Sequence, residues 1–128
     1  MKVTILSAAQ SDTERSFVEF STFVGNGLAH WRARPTAKGQ THDVEVEIDD
    51  DFFWGKNIKS SAKASSSIEN CQGTIHVTAK LISSEDDGLA VVELDNSIVM
   101  LSTNKKVDPP PEYVDFTATH ISLYPTNL

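Results

Sequence analysis

The strongest constraint on the fold is a strict two-residue alternation in residues 42–49, which read HDVEVEID. The apolar side chains Val44, Val46 and Ile48 would lie on one face of an extended strand. The acids between them would lie on the other face: Asp43, Glu45, Glu47 and Asp49. Because successive side chains of a strand point to opposite faces, the pattern predicts a β-strand with one face in a core and the other in water.

Strand signals recur along the rest of the chain. A sustained 3.6-residue apolar period is absent, so we expect little helix. The sequences Gly25-Asn26-Gly27 and Asp95-Asn96 predict hairpin turns, and Pro109-Pro110-Pro111 predicts a break between strands. Residues 59–70 are polar and Ser-rich, which predicts a long loop with room for one helical turn. Further strands are expected over residues 2–8, 16–24, 28–34, 73–83, 89–94, 97–102 and 113–124, the last with a bulge near Thr119 or His120.

Length and composition indicate one domain in a reducing compartment. The 128 residues fit a single β domain spanning residues 1–128. No window is apolar enough for a transmembrane helix, and the apolar run at residues 3–9 is too weak for a signal peptide. Cys71 is the only cysteine, which excludes an intramolecular disulfide and a four-cysteine zinc site. We therefore expect a cytoplasmic protein.

The charge balance bears on the class of partner. Eighteen acids against eleven bases give a net charge of −7. Nucleic acids and anionic membranes are bound mainly through Lys and Arg, so both are disfavoured as partners. The acidity favours a basic protein partner, and solubility alone is the alternative explanation.

The acidic run from Asp43 to Asp51 is the most distinctive candidate site, with six acids in nine residues and no base. Neighbours in its strand row would stand about 6–7 Å apart. Their repulsion would be offset by water, salt or a cationic partner. The docking hypothesis assigns partner binding to the six carboxylates Asp43, Glu45, Glu47, Asp49, Asp50 and Asp51.

Two other interpretations of the acidic run stay open. A solvated outer face needs no partner if bases on adjacent strands screen it; the candidates are Arg32, Arg34, Lys56 and Lys59. Divalent-cation binding would use Asp49 and Asp51, although the sequence lacks the glycine-turned loop of an EF-hand.

An aromatic trio, Phe52, Phe53 and Trp54, directly follows the acidic run. Alternation prevents all three from facing a core, so at least one is expected to be exposed or covered by a loop. Exposed aromatic side chains are good binding anchors, and Phe53 and Trp54 are therefore added to the partner-binding residues. The alternative is that the Ser-rich loop or a neighbouring strand buries them.

The sequence carries no motif for catalysis or cofactor binding. It lacks the nucleophile elbow GxSxG, the P-loop and the dinucleotide fingerprint. The four histidines are dispersed without metal-site spacing. Cys71 has no basic neighbour that would lower its thiol pKa, since Glu69 and Gln72 flank it closely. We expect a protein without enzymatic activity, cofactor or metal.

The regular spacing of strands and turns favours a small antiparallel barrel or a sandwich. From Gly73 onward, the segments TIHVTAKLI, GLAVVELDNSIVMLS and VDFTATHISLYP resemble the later strands of an OB-fold barrel. That resemblance implies a face for oligonucleotides or oligosaccharides. The segment THDVEVEIDDDFFWGKNI resembles small acidic bacterial β proteins, among them immunity proteins, which neutralise a paired toxin.

Three functions follow from these features. The expected one is a non-catalytic, immunity-type protein that docks its acidic surface on a basic bacterial toxin or nuclease domain. The second is an OB-type binder of single-stranded nucleic acid or oligosaccharide, with Trp31, Trp54 and Tyr124 as stacking platforms. The third is a structural or assembly component joined through an exposed strand edge. The sequence leaves the oligomeric state open.

Overall fold

The structure is a computed structural model that describes residues 1–10 and 16–126. These two ranges contain strands and no helix, which confirms the predicted mostly β class. The strands of the described part are β1 (Lys2–Gln10), β2 (Ser16–Thr22), β3 (Gly25–Trp31), β4 (Thr41–Ile48), β5 (Asp51–Phe52), β6 (Ile58–Ser60), β7 (Ser67–Cys71), β8 (Thr74–Ser84), β9 (Leu89–Leu94), β10 (Ser97–Thr103), β11 (Tyr113–Ala118) and β12 (Ile121–Pro125).

Five strands close into a barrel in the order β1-β2-β3-β12-β4. Neighbouring strands are antiparallel except β3 and β12, which run parallel with Ser122 opposite His30. Strand β4 completes the ring, because it pairs with β1 over residues 41–43 and with β12 over residues 44–48. A small closed barrel of this kind is compatible with an OB-like fold.

The barrel strands are not those that the OB resemblance indicates. The resemblance assigns the later strands of the barrel to residues from Gly73 onward, whereas β12 is the one strand of that region in the ring. The reason is that side-chain alternation identifies a half-buried strand but does not specify the sheet that it joins. Residues 49–120 are instead inserted between two neighbouring barrel strands, β4 and β12.

The inserted residues build a second sheet around the long strand β8. One edge of β8 pairs with β11, and the other pairs first with β7 and then with β9. Strand β6 extends this sheet beyond β11, while β10 and β5 extend it beyond β9. Strand β7 also meets the barrel through one parallel pair, Gly25 with Ile68.

One cluster of buried apolar side chains is shared by the barrel and the second sheet. Val44 and Ile48 are buried and Val46 is partly buried in it, which confirms the inward face predicted for β4. The inward set predicted for β8 is also buried: Ile75, Val77, Ala79 and Leu81. Removal of this apolar surface from water is the main favourable contribution to folding.

Residues 59–70 and residues 113–124 differ from their predicted structure. Residues 59–70 hold the end of β6 and the start of β7, so the loop is confined to residues 61–66; pairing with β11 and β8 overrides the polar composition. Residues 113–124 form two strands rather than one bulged strand, and Thr119 and His120 connect them. The predicted change in side-chain parity does occur at that connection.

The first hairpin is confirmed, but its turn lies earlier than predicted. Phe23 and Val24 occupy the turn, and Gly25 already belongs to β3. The Thr22 hydroxyl accepts a hydrogen bond from the Val24 main-chain N–H at 3.1 Å and donates one to the Gly25 carbonyl at 2.9 Å. Thr22 thus supplies the local hydrogen bonding that stabilises the turn.

Gly25 allows the close approach of the barrel to β7. Its φ is +138°, and a Cβ atom built there would lie 1.9 Å from the Ile68 carbonyl oxygen. We expect Gly25→Ala to lower the free energy of unfolding by roughly 2–4 kcal/mol, because backbone strain and steric overlap add. Gly39→Ala is the matched control, since Gly39 has a φ of +89° and no atom within 4 Å of the added Cβ. Chemical denaturation measures both variants. Equal losses of unfolding free energy in the two would contradict the close approach of Gly25 to β7.

Candidate functional site

The acidic row comprises the outward side chains along the alternating segment: Asp43, Glu45, Glu47 and Asp49. All four are exposed, as the alternation predicts. On the β12 side of the row the facing residues are uncharged at neutral pH, with Tyr124 opposite Glu45 and Ser122 opposite Glu47. The row therefore presents its carboxylates to solvent from a strand whose backbone is held by pairing.

The cations near the acidic row do not form ion pairs with it. The contacts between basic and acidic side chains in the described ranges lie elsewhere: Lys106 Nζ is 3.4 Å from Asp86 Oδ1, and His120 Nδ1 is 3.6 Å from Asp50 Oδ2. Arg32 approaches the region, but its Nε donates to Ser122 Oγ at 3.1 Å. Lys56 and Lys59, two of the predicted screening bases, line a separate groove.

Tyr124 connects the acidic row to an apolar surface. The pKa of its phenol is raised, first by desolvation and then by the charge and hydrogen bond of Glu47. The charge of Arg32 acts in the opposite direction, and that of Asp49 adds to the increase. The phenol therefore stays protonated, as a hydrogen bond with a carboxylate acceptor requires.

Exposed apolar side chains stand beside the acidic row. Ile98 and Met100, on the outer face of β10, are 56% and 63% exposed, and Tyr124 is 37% exposed. We call these three side chains together with the acidic row the docking face. Its centre is a shallow depression of about 260 Å³, which is lined by Glu45, Val46, Glu47, Ile98, Met100 and Tyr124. Apolar anchors bordered by polar groups are typical of protein interfaces.

Asp50, unlike the acidic row, has partners within the chain. Its carboxylate accepts hydrogen bonds from the main-chain N–H groups of Thr119 at 3.0 Å and His120 at 2.8 Å, and from the Thr119 hydroxyl at 2.9 Å. We call this arrangement the Asp50 clasp. It holds the connection between β11 and β12. Burial opposes ionisation of Asp50, but the hydrogen bonds outweigh it, and the pKa of the carboxyl is lowered.

The Asp50 clasp makes stability depend on pH. We expect Asp50→Asn to lower the free energy of unfolding at neutral pH by about 1–3 kcal/mol, because a charged acceptor is lost from a largely buried site. The folded-state pKa lies below the ordinary value of 3.8. The contribution of Asp50 is therefore present above that value and is lost as the pH falls through the folded-state pKa.

Denaturation of wild type and Asp50→Asn across the acid range measures this effect. The difference in unfolding free energy between the two proteins should narrow in acid. Asp51→Asn is the matched control, since the neighbouring Asp51 side chain is exposed, and its effect should stay within about 0.5 kcal/mol. A difference in unfolding free energy that does not change with pH would contradict the stabilising role of the Asp50 clasp.

The aromatic trio divides between core and surface. Phe52 is buried and packs edge-on against Phe116, with ring centroids 5.3 Å apart. Phe53 is 47% exposed, with Lys56 Nζ 5.8 Å from its ring centroid. Trp54 is partly buried, and its indole N–H has no hydrogen-bond partner among the described residues. The prediction that at least one of the three is exposed is confirmed, but Phe53 and Trp54 do not line the depression of the docking face.

A second candidate site lies on the outer face of the second sheet, where β6, β11, β8 and β7 are adjacent. The strand register aligns one row of side chains across all four strands: Lys59, Asp115, Thr78 and Ser67. A second row on the same face holds Thr117, His76 and Glu69. These rows form the floor of a groove of about 430 Å³, the lysine cleft, whose other polar lining residues are Lys56, Asn57 and Lys63.

Asp115 is the central anion of the lysine cleft. Thr78 Oγ1 donates to Asp115 Oδ1 at 2.5 Å, and Ser61 provides a second side-chain hydrogen bond. Burial alone would raise the pKa of Asp115, but these hydrogen bonds and the charges of Lys63 and Lys59 lower it. Asp115 is therefore ionised at neutral pH.

The lysine cleft is not predicted from the sequence, because its residues come from four strands and part of it was predicted to be loop. The available signal was the spacing of Lys56, Lys59 and Lys63, which are three of the eleven bases within eight residues. Their convergence with Asp115 depends on pairing between distant segments, which spacing alone does not encode.

No family model, curated protein or solved structure matches this chain.

Within residues 1–10 and 16–126, no group of three His, Cys, Asp or Glu side chains could hold a metal ion. The same ranges form no helix that is both long and apolar enough to span a membrane. The Cys71 thiol is exposed, and desolvation and the neighbouring Glu69 raise its pKa.

Proposed function

We propose that this chain is a non-catalytic binding protein whose docking face engages a basic surface of a partner protein. The partner is a bacterial toxin or nuclease domain, which the chain neutralises in the manner of an immunity protein. The observation that carries the proposal is the acidic row: four exposed carboxylates, none in the ion pairs of the described ranges, beside exposed Ile98 and Met100.

The carboxylates of the acidic row repel one another in the isolated protein, and a cationic partner would offset that repulsion. Carboxylates two residues apart on a strand stand about 6–7 Å from each other, and each neighbouring pair repels by about 0.6 kcal/mol even in water. Lys and Arg side chains of a partner would replace this repulsion by attraction. Opposite potentials also raise the association rate.

The apolar part of the docking face would provide binding energy that exposed charges do not. Exposed charge pairs contribute little net affinity, whereas buried apolar and aromatic anchors account for most of the binding energy of an interface. Ile98, Met100 and Tyr124 offer such anchors next to the acidic row. The carboxylates would thus steer the partner, and the apolar side chains would retain it.

A nuclease domain fits this combination of charges. Proteins that act on nucleic acids neutralise phosphates with Lys and Arg, so their substrate grooves are basic. A row of carboxylates that occupies such a groove competes with the phosphate backbone. Inhibition then needs no catalytic group on the inhibitor.

Charge reversal in the acidic row tests the proposal. Pull-down from the native lysate, followed by mass spectrometry, identifies candidate partners, of which a toxin domain encoded beside this gene is the first to measure. We expect Glu45→Lys/Glu47→Lys to weaken binding at least about tenfold, mainly through the association rate. Binding by wild type should also weaken as salt rises. Surface plasmon resonance in a salt series measures both effects.

The matched control is Glu19→Lys/Glu112→Lys, two exposed acids outside the docking face. Both double variants change the net charge from −7 to −3, because each Glu→Lys substitution adds two positive charges. Equal loss of binding in the two variants would show a non-local charge effect and would contradict a specific docking face.

The apolar anchors call for a separate test. We expect Ile98→Ser to increase the dissociation rate several-fold and to leave the association rate nearly unchanged, because the anchor acts after encounter. Ile82→Ser is the matched control, since Ile82 is 50% exposed on β8 and does not line the depression. The same kinetic measurement compares them, and an unchanged dissociation rate for Ile98→Ser would remove Ile98 from the interface.

A second candidate function is OB-type ligand binding on the outer face of β2 and β3. Phe17 is 37% exposed there, and its ring centroid lies 4.2 Å from that of His30, so the pair offers a stacking platform. Trp31, a predicted platform, is buried in the barrel instead, and its indole N–H donates to the Arg34 carbonyl at 2.8 Å. Fluorescence anisotropy with labelled oligonucleotides tests this candidate. Absence of salt-sensitive binding would remove its nucleic-acid form.

A further inference from the structure

We propose that the lysine cleft binds a phosphate monoester of a small hydroxylated molecule, such as a sugar phosphate. The cleft belongs to the second sheet and shares no residue with the docking face. The inference therefore goes beyond the proposed protein–protein function and does not depend on it.

The lysine cleft has the size and depth of a ligand site. Its volume of about 430 Å³ lies within the range of about 300–1,000 Å³ that is typical of small-molecule sites. Thr78 marks its depth, because this side chain belongs to the outer face of β8 and is nevertheless only 2% exposed. The neighbouring side chains of its row, Asp115 among them, therefore cover Thr78 at the floor of the groove.

The lysine cleft is locally cationic in an acidic chain. Lys56, Lys59 and Lys63 place three positive charges against the two carboxylates of Asp115 and Glu69. None of the three ammonium groups takes part in the ion pairs that the described ranges contain. The net charge of −7 does not cancel this local potential, because salt at physiological strength screens charges beyond about 8 Å.

A phosphate monoester matches these cations better than other anions do. It carries a charge of about −1.5 to −2 at neutral pH and has three strong acceptor oxygens. Lysine ammonium groups are compact point charges that suit phosphate, whereas arginine suits planar bidentate recognition. Three lysines around one recess therefore favour a dianionic phosphate group over a single carboxylate.

The floor of the lysine cleft favours a hydroxylated ligand body. The ionised Asp115 carboxylate accepts hydrogen bonds from hydroxyl groups, and the hydroxyls of Ser67 and Thr117 both donate and accept. A long polyanion is disfavoured, because its further phosphates would extend beyond the cleft over a chain that is acidic overall. The ligand is therefore a small molecule that combines one phosphate with several hydroxyls.

Titration of the ¹⁵N-labelled full chain, followed by amide chemical shifts, tests the proposal with ribose 5-phosphate, inorganic phosphate and ribose as probes. We expect saturable shifts in β6, β8 and β11 with ribose 5-phosphate, weaker binding of inorganic phosphate and no binding of ribose. Lys59→Gln/Lys63→Gln should weaken binding of ribose 5-phosphate at least about tenfold, because two charged hydrogen-bond donors are lost.

The matched control is Lys38→Gln/Lys105→Gln, which changes the net charge equally at exposed positions outside the cleft; its affinity should stay within about twofold of wild type. If the cleft variant does not fold, Lys56→Gln, in the turn before β6, should still weaken binding about threefold. Three results would overturn the proposal: no saturable shift with either phosphate probe, equal weakening by the control variant, or tighter binding of an oligonucleotide than of ribose 5-phosphate at the same amides.

Discussion

Closure of the barrel by β12 is the constraint on which the other features depend. This strand lies far along the chain from β4, yet it pairs with β4 and β3 at once. The Arg32 main-chain N–H donates to the Leu123 carbonyl at 3.0 Å, and Leu123 is fully buried. The Asp50 clasp directs the chain into β12 immediately before this pairing. Because β4 is held by β1 and β12 on its two edges, the acidic row cannot turn into the core.

The insertion between β4 and β12 contributes residues to both candidate sites. Its β10 places Ile98 and Met100 beside the acidic row, so the docking face combines charges from the barrel with apolar side chains from the second sheet. The remainder of the insertion forms the lysine cleft, which has the opposite local charge. The β3–β7 pair at Gly25 ties the second sheet to the barrel. The chain can thus present an anionic and a cationic surface on one hydrophobic core.

Local sequence patterns predicted the elements whose determinants are local. Alternation identified β4 and β8, and the two-residue turn at Asp95 was found where its φ is +56°, a conformation favoured at Asp and Asn. The small barrel was confirmed, but the strands between Gly73 and Ala118 were wrongly placed in it, because barrel pairs such as His30 with Ser122 join segments far apart in the chain. The lysine cleft was missed for the same reason, since Lys59 meets Asp115 only through the pairing of β6 with β11. The exposure of the acidic row followed from parity alone.

Backbone NMR on the β3–β12 pair tests the closed barrel most directly. Closure predicts strong protection of the Arg32 amide from hydrogen exchange, because its N–H is bonded to the Leu123 carbonyl. It also predicts nuclear Overhauser effects between the backbones of His30 and Ser122. Exchange of the Arg32 amide at the rate of an unstructured peptide, with no such effect between the two strands, would show an open sheet and would contradict closure of the barrel by β12.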